Sequence, residues 1–502
     1  MNSPTFSLDA ALRRNAQRRG HRAALWIPGG DRPPSTLSDV ESGGCVVSWS
    51  ILDRWVAQLA LDLRDRLASS SRRPSDGDTC GWLVHTTDQT FRDVLIALAC
   101  QAAGIVECPI DLSGGAAYIA ACRSQLEAVS LDGGERVAMI DRAAARAAAG
   151  ATVPRPDSFA SPTDDALVLW TSGTSGRPKG VVLSVGALAL NAAAKLQAVP
   201  QAVSDTRLTV LSFAHAYART CDLGTWLLSG CQLAVTRGFD GWCRSAGLIE
   251  PTLCNTVPSL AERMLDSELG LNRLRLLGCG GAALPPDAFQ AWKQRGVTVI
   301  QGYGLTECGP VISSQTPSDS VPERVGQVVT GWESELRGDR LFVRGACTMN
   351  RYLEDPASTR QRIDPDGWLD TGDLVRQCEQ TGQLQILGRA DDRINLSNGF
   401  NVDPSAIEQR FQSLPGVATA LVVGSANGRG IDLWIERDPD AEPAAGLEAS
   451  LDTVAETLAA WERPKRVGWF QLPATQRPEM VNRKGAVRRA ALMAYVRDLP
   501  IE

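Results

Sequence analysis

The sequence predicts an α/β protein. A large N-terminal domain of β-sheets with packed helices is expected over residues 1–390, and a small, mobile α+β C-terminal domain over 391–502. Three observations predict this. The chain has 502 residues, more than one hydrophobic core organises. Helical and strand patterns alternate through most of its length, which points to substantial parallel sheet. The texture then changes twice: to short β-like segments from Gly331 to about Gly388, and to a compact helix–strand set after that.

Taken in order, "SWSILDRWVAQLALDLRDRL" carries apolar residues at helical spacing. "CGWLVH" and "GIVECPID" are short strands flanking the helix "FRDVLIALACQAA". "RLTVLSF", "CQLAVT", "NTVPS", "RLRLLGCGG" and "VTVIQGYG" are short apolar strands that end in polar or Gly-rich turns. In open α/β sheets such carboxyl ends of strands gather into the ligand crevice. "RLFVRG" and "LQILGR" supply the later strands. The last part reads helix ("VDPSAIEQRFQSL"), strand ("ATALVVGS"), strand ("GIDLWIE"), helix ("LEASLDTVAETLAAW") and strand ("KRVGWFQL").

Composition excludes several classes. A net charge of −6 argues against a nucleic-acid partner, which would call for a basic face. The N-terminus has no apolar run followed by a small-residue cleavage site. The longest apolar stretch, "VLIALACQAAGIVECPI", is interrupted by Gln101, Gly104 and Glu107, so it reads as a buried helix running into a strand and not as a membrane span. Thirteen Cys are scattered without a C-x-x-C pair, the pattern of reduced, buried thiols. The expected compartment is the cytoplasm. Lys is scarce (Lys179, Lys195, Lys293, Lys465 and Lys484), so each one invites inspection.

The stretch "WTSGTSGRPKG", Trp170 to Gly180, follows the apolar run "DDALVLW". Its glycines permit close backbone approaches, and successive N–H groups in such a loop can form an anion nest. The hydroxyls add donors and Lys179 a mobile charge. It is not a Walker A loop, because Pro178 and Gly180 break that pattern. On composition alone it is either a Ser/Gly turn or a phosphate loop.

The wider sequence resembles the acyl-adenylate-forming enzymes: acyl- and aryl-CoA synthetases, adenylation domains of nonribosomal peptide synthetases, and firefly luciferase. "LWTSGTSGRPKGVVLS" is similar to their phosphate loop. "GCGGAALPP" (Gly278–Pro286), "QGYGLTECGP" (Gln301–Pro310), "DGWLDTGDL" (Asp366–Leu374) and "GRADDRINLSNGFNVDPSAIE" (Gly388–Glu408) are similar to later motifs of that family, in order. "LEDPASTRQRI" fits the sequence before the ribose motif. The resemblance runs from about residue 40 to 492.

The resemblance implies the AMP-binding enzyme fold and a two-step reaction: a carboxylate attacks the α-phosphate of ATP, giving an acyl-adenylate and pyrophosphate, and a thiol of CoA or a pantetheine arm then displaces AMP. It implies that Thr171, Ser172, Gly173, Thr174 and Lys179 hold the β- and γ-phosphates and that Glu307 ligates Mg²⁺. Thr306 would contact the α-phosphate. Tyr303 would stack on adenine beside Gly280, Gly281 and Ala282. Asp373 would take the ribose hydroxyls, with Arg389 nearby. His215, in "LSFAHAYARTCDLGTW", would line the acyl pocket. Its "HAYART" context resembles a long-chain acyl-CoA synthetase motif in which Ala218 replaces an acid. Asp391 matches the hinge and Gly399 the thiol tunnel.

One departure concerns the C-terminal catalytic Lys, which in the family usually follows Gly. Lys484 follows Arg483, twelve residues after Leu472, and is assigned to the α-phosphate and carboxylate oxygens. The resemblance thus implies a stand-alone ligase for a small fatty or aryl carboxylic acid, using ATP, Mg²⁺ and CoA. The readings set against it are an acyl-AMP ligase that loads an acyl carrier protein and a non-catalytic nucleotide-binding homologue.

Overall fold

Strand runs of four to eight apolar residues, bounded by turn chemistry, assemble here into two large mixed sheets. The computed structural model describes residues 7–29, 43–69, 81–149, 155, 158–172, 178–392, 394–395, 401–402, 404–425, 430–438, 446–459, 462–473, 475–481, 488–497 and 499–501. The chain divides into two compact units. The first comprises residues 1–334, 343–369 and 379–384; the second comprises 335–342, 370–378 and 385–502. The second therefore takes in strand segments that precede residue 391 in sequence.

In the first unit, nine strands of the described residues form one sheet. Its centre is parallel: Thr298–Gly304, Leu276–Cys279, Leu253–Thr256, Thr206–Thr209, Gln232–Val235 and Ala23–Pro28 pair in that order. Antiparallel strands close both edges. Val311–Ser314 pairs with Thr298–Gly304, and Gly44–Ser48 with Ala23–Pro28. A second sheet of six strands runs from Arg351–Tyr352 through Pro178–Ser184, Asp165–Ser172, Val106–Asp111 and Trp82–Thr87 to Val129–Leu131. Parallel strands buried on both faces read as continuous apolar runs, which is why these segments stood out in the sequence.

The helix Phe91–Ala103 shows why its apolar run is not a membrane span. Only Arg92 along it is not buried, and the helix packs against Trp49–Ala68 inside the largest core cluster. Thr90 and Asp93 form a capping box at its start, satisfying otherwise orphaned N–H groups. Gly104, in the left-handed region at φ 66°, ends it and turns the chain into strand Val106–Asp111. No helix of the described residues is long and apolar enough to cross a membrane.

The second unit has its own core. Val417–Gly424 pairs antiparallel with Ile431–Arg437, which pairs parallel with Pro464–Phe470. Helices Pro404–Gln412 and Leu447–Glu456 bury Ile407, Phe411, Leu447 and Leu451 against it. Arg489, at the start of helix Arg489–Arg497, donates to Glu408 and to the Val422 carbonyl. It thereby ties the C-terminal helix to the first helix of this core.

Candidate active site

The hairpin formed by Asp165–Ser172 and Pro178–Ser184 sets the first part of the site. Its register pairs Thr171 with Lys179 and Ser172 with Pro178. Lys179 therefore stands directly across from Thr171, whose hydroxyl donates to the Lys179 carbonyl at 3.5 Å. Gly173 and Thr174 lie outside the described residues. Gly180 sits where a Cβ would come within 3.0 Å of Leu353, so the strand can run close to the Arg351–Tyr352 edge only without a side chain there.

That edge strand brings the next element to Lys179. The Lys179 Nζ donates to Ser358 Oγ at 2.8 Å and lies 3.7 Å from Asp355 Oδ2. Asp355 caps the short helix Pro356–Arg362 by accepting from the Ser358 N–H. Hydrogen bonds from Ser358, with the Lys179 charge adding to them, hold the Asp355 carboxyl below its usual value. The ammonium also sits 5.2 Å from the centre of the Tyr352 ring, within cation–π range.

Tyr352 links Lys179 to Glu307. Its hydroxyl donates to Glu307 Oε1 at 2.6 Å, a short, charge-assisted bond. Burial and the neighbouring Glu307 carboxylate push the phenol well above its ordinary pKa, so it stays a donor. Glu307 is buried on the single turn Thr306–Cys308, between strands Thr298–Gly304 and Val311–Ser314. Its carbonyl accepts from the Met349 N–H at 2.8 Å, which fixes the turn from the Tyr352 side. Gly304 is obligatory before this turn: a Cβ there would stand 1.7 Å from the Pro310 carbonyl oxygen. Tyr303 is the residue before it, half-buried on the same strand.

Gly280, Gly281 and Ala282 follow strand Leu276–Cys279, with Gly281 at φ 84° and exposed. Tyr217 packs onto this turn, since a Cβ on Gly280 would lie 3.1 Å from its ring. His215, two residues earlier, places Nε2 3.3 Å from Asp111 Oδ2 at the end of strand Val106–Asp111. Burial pushes the Asp111 carboxyl up, but hydrogen bonds from His215 and Ser113 outweigh it and bring the group well below its ordinary value.

Beneath this segment lies a buried group that the sequence analysis did not single out. Arg219 donates from Nη1 to Glu107 Oε2 at 2.8 Å and from Nη2 to Oε1 at 2.5 Å, and His85 Nε2 lies 2.9 Å from Oε1. Leu83 pairs with Glu107 across the sheet, so His85, two residues on, presents to the same face. Arg219 also donates to the Phe213 carbonyl, and Thr220 to that of Gly309. These bonds pin the segment that carries His215. The signal was present as an acid inside the apolar run "GIVECPI" and an Arg in "HAYART", but nothing local connects two residues 112 positions apart.

In the second unit Asp373 is buried on strand Leu369–Gln377. It accepts from Arg389 Nη1 at 2.9 Å, and the same nitrogen donates to the Thr371 carbonyl at 3.1 Å. Asp391 lies on the turn Ala390–Asp392 that follows. Gly399 and Lys484 lie outside the described residues.

A family model described as AMP-binding enzyme matches residues 13–353. The chain belongs to the AMP-binding enzyme family. It is an AMP-forming acid–thiol ligase. A feruloyl-CoA synthase of Amycolatopsis is 28% identical over 491 residues, covering 90% of this ligase and 95% of that protein. An indoleacetate–CoA ligase of Aromatoleum aromaticum is 29% identical over 299 residues, 56% of this chain and 58% of that one. Among solved structures, ATP-bound MatB from Rhodopseudomonas palustris superposes with a TM-score of 0.79 at 24% identity, covering 98% of this chain and 99% of that one. An anthranilate CoA ligase, AuaEII, in complex with anthranoyl-AMP has a TM-score of 0.78 at 20% identity and covers 98% of each chain. The ligase therefore has the α/β fold expected of its motifs.

Proposed function

We propose that this ligase activates a small aryl or fatty carboxylic acid as its adenylate and passes the acyl group to CoA. The observation that carries the site is the Lys179–Tyr352–Glu307 linkage beside the hairpin. It puts a cation and a buried carboxylate on one tyrosine, which is what binding a metal-chelated polyphosphate requires. The CoA acceptor and the breadth of acids follow the names of the feruloyl- and indoleacetate-CoA relatives.

The donor set fits Mg²⁺. No cluster of three acidic, His or Cys side chains that could cage a metal exists among the described residues. Mg²⁺ asks for less: one or two carboxylates, with waters and substrate phosphates completing its shell. Glu307 supplies one, already oriented by Tyr352. When bound, the ion would neutralise phosphate charge that otherwise repels the incoming carboxylate.

The chain's own residues then divide the work. Thr171, Ser172, Gly173, Thr174 and Lys179 hold the β- and γ-phosphates, and Thr306 contacts the α-phosphate. Tyr303 and the Gly280–Ala282 turn hold adenine, and Asp373, oriented by Arg389, accepts from the ribose hydroxyls. His215 lines the acyl pocket, kept in place by Asp111. Lys484 serves the carboxylate attack. The domain from 391 turns about Asp391 between the half-reactions and brings Gly399 to the thiol. Buried cysteines such as Cys100, Cys108 and Cys254 are free thiols, which suits a cytoplasmic protein.

The test is carboxylate-dependent exchange of labelled pyrophosphate into ATP across fatty, aryl and amino acids; no exchange with any of them sinks the proposal. Comparing turnover with CoA and with a holo acyl carrier protein decides the acceptor. Within the same assay, Tyr352→Phe should raise the Mg²⁺ concentration for half-maximal exchange by roughly tenfold, the size of a lost hydrogen bond to a charged group. An unchanged Mg²⁺ requirement would remove Tyr352 from the account.

A further inference from the structure

Lys195 is a buried cation with no counter-ion among the described residues. It lies on helix Val185–Ala198 at 7% exposure. Its Nζ donates to Ser314 Oγ at 2.7 Å, and that hydroxyl gives its own proton to the Gln315 carbonyl at 2.8 Å. No carboxylate of the described residues pairs with it; the ionisable groups that act on it are Cys221 and Arg207, and Arg207 is bound to Asp222. An ammonium has three donors, and among the described residues only one finds an acceptor. Burial accordingly lowers the Lys195 pKa. A buried polar group left this short of partners is costly unless something else completes it.

Its position says what could. Asn191 lies one helical turn before Lys195 on the same face. The Asn191 amide brackets Val311, accepting from its N–H and donating to its carbonyl, both at 2.8 Å. This helix face thus runs along strand Val311–Ser314, from Val311 at one end to Ser314 at the other. That strand pairs Ser314 with Gly302 and Ser313 with Tyr303. The ammonium is therefore anchored one residue from the proposed adenine stack, on the strand that follows the Thr306–Glu307 turn. Ala194, Cys221 and Val311 form a small apolar cluster with Tyr217, the residue that packs under Gly280. Lys195 thus has as neighbours Cys221 of this cluster and Ser314 on the strand that pairs with Tyr303.

We infer that Lys195 is the polar floor of the acyl pocket and that the acid it selects carries a second hydrogen-bond acceptor, a carbonyl or a carboxylate, at the end remote from the carboxylate that is activated. This rests on the proposed adenylation site and names the class of acid within it. The distal acceptor would take the free donors of Lys195, and an acid that lacks it would leave them buried and unmet.

The experiment measures kcat/KM by pyrophosphate exchange for matched acids on the wild-type protein: cinnamate against 4-acetyl- and 4-carboxycinnamate, and octanoate against octanedioate. At least one acceptor-bearing member should exceed its plain partner by at least about tenfold, since a site that hydrogen-bonds a group discriminates against its absence. The ketone and carboxylate arms tell which acceptor is preferred. In Lys195→Met the ratio should fall to about one, through KM for the acid, with KM for ATP unmoved. Preference for the plain acids in the wild type, or a ratio that survives Lys195→Met, overturns the inference. Should that variant not fold, the wild-type series decides alone. Exchange with no acid at all would instead overturn the ligase site on which the inference rests.

Discussion

Glu107→Gln is expected to remove about 3–5 kcal/mol of folding stability at neutral pH, the cost of leaving one partner of a buried ion pair without the other. Arg219 is 5% exposed and directs two nitrogens at this carboxylate. With a neutral amide opposite, its charge would be solvated neither by water nor by an anion. The pH dependence identifies the cause. Burial pushes the Glu107 pKa up, but Arg219 and His85 outweigh it, and the net value lies below the ordinary one. An acid whose folded pKa is lowered contributes stability that is complete above its unfolded pKa of about 4.3 and is lost as pH falls through the folded value. The gap between wild type and Glu107→Gln should therefore be full at pH 7 and shrink below about pH 4. Urea denaturation at several pH values measures it. A gap that does not change with pH would mean the loss is steric and not electrostatic. Because Arg219 also holds the Phe213 carbonyl, the variant should loosen the segment bearing His215.

Lys484→Ala is expected to depress adenylation by roughly 10²–10³-fold, the usual effect of removing one donor aimed at charge that develops in the transition state. Acyl-AMP formation gathers negative charge around the α-phosphate as the carboxylate approaches. A compact ammonium on a flexible stem can follow both groups at once. Thioester formation from supplied acyl-adenylate does not meet that charge, so it should stay near the wild-type rate. Single-turnover measurement of the two half-reactions separates them. Equal loss in both would deny Lys484 the role, and full activity in Lys484→Ala would mean that another residue performs it. Lys484→Arg should recover activity only in part, because the planar guanidinium is not a point charge.

What was legible in the sequence was local. The helix Phe91–Ala103 follows from an apolar run with Thr90 to start it and Gly104 to stop it. The strand that leads into "WTSGTSGRPKG" follows from the apolar run "DDALVLW". Such features depend on neighbours a few residues away, so composition and spacing expose them. The ordered motifs carried the family for the same reason, each being a short backbone-shaped segment.

What was not legible depends on distance. Tyr352 meets Glu307 across 45 positions, and Lys195 meets Ser314 across 119. In sequence, Lys195 and Glu107 are single charges inside apolar stretches, no different from residues that turn outward to water. The sequence by itself determined the α/β class, the order of the elements and the membership of an adenylating family. Only the tertiary structure decided which charges are buried and what faces them. That is because burial is set by the strands and helices that close over a side chain, and the energy of a charge depends on its nearest partners once water is gone.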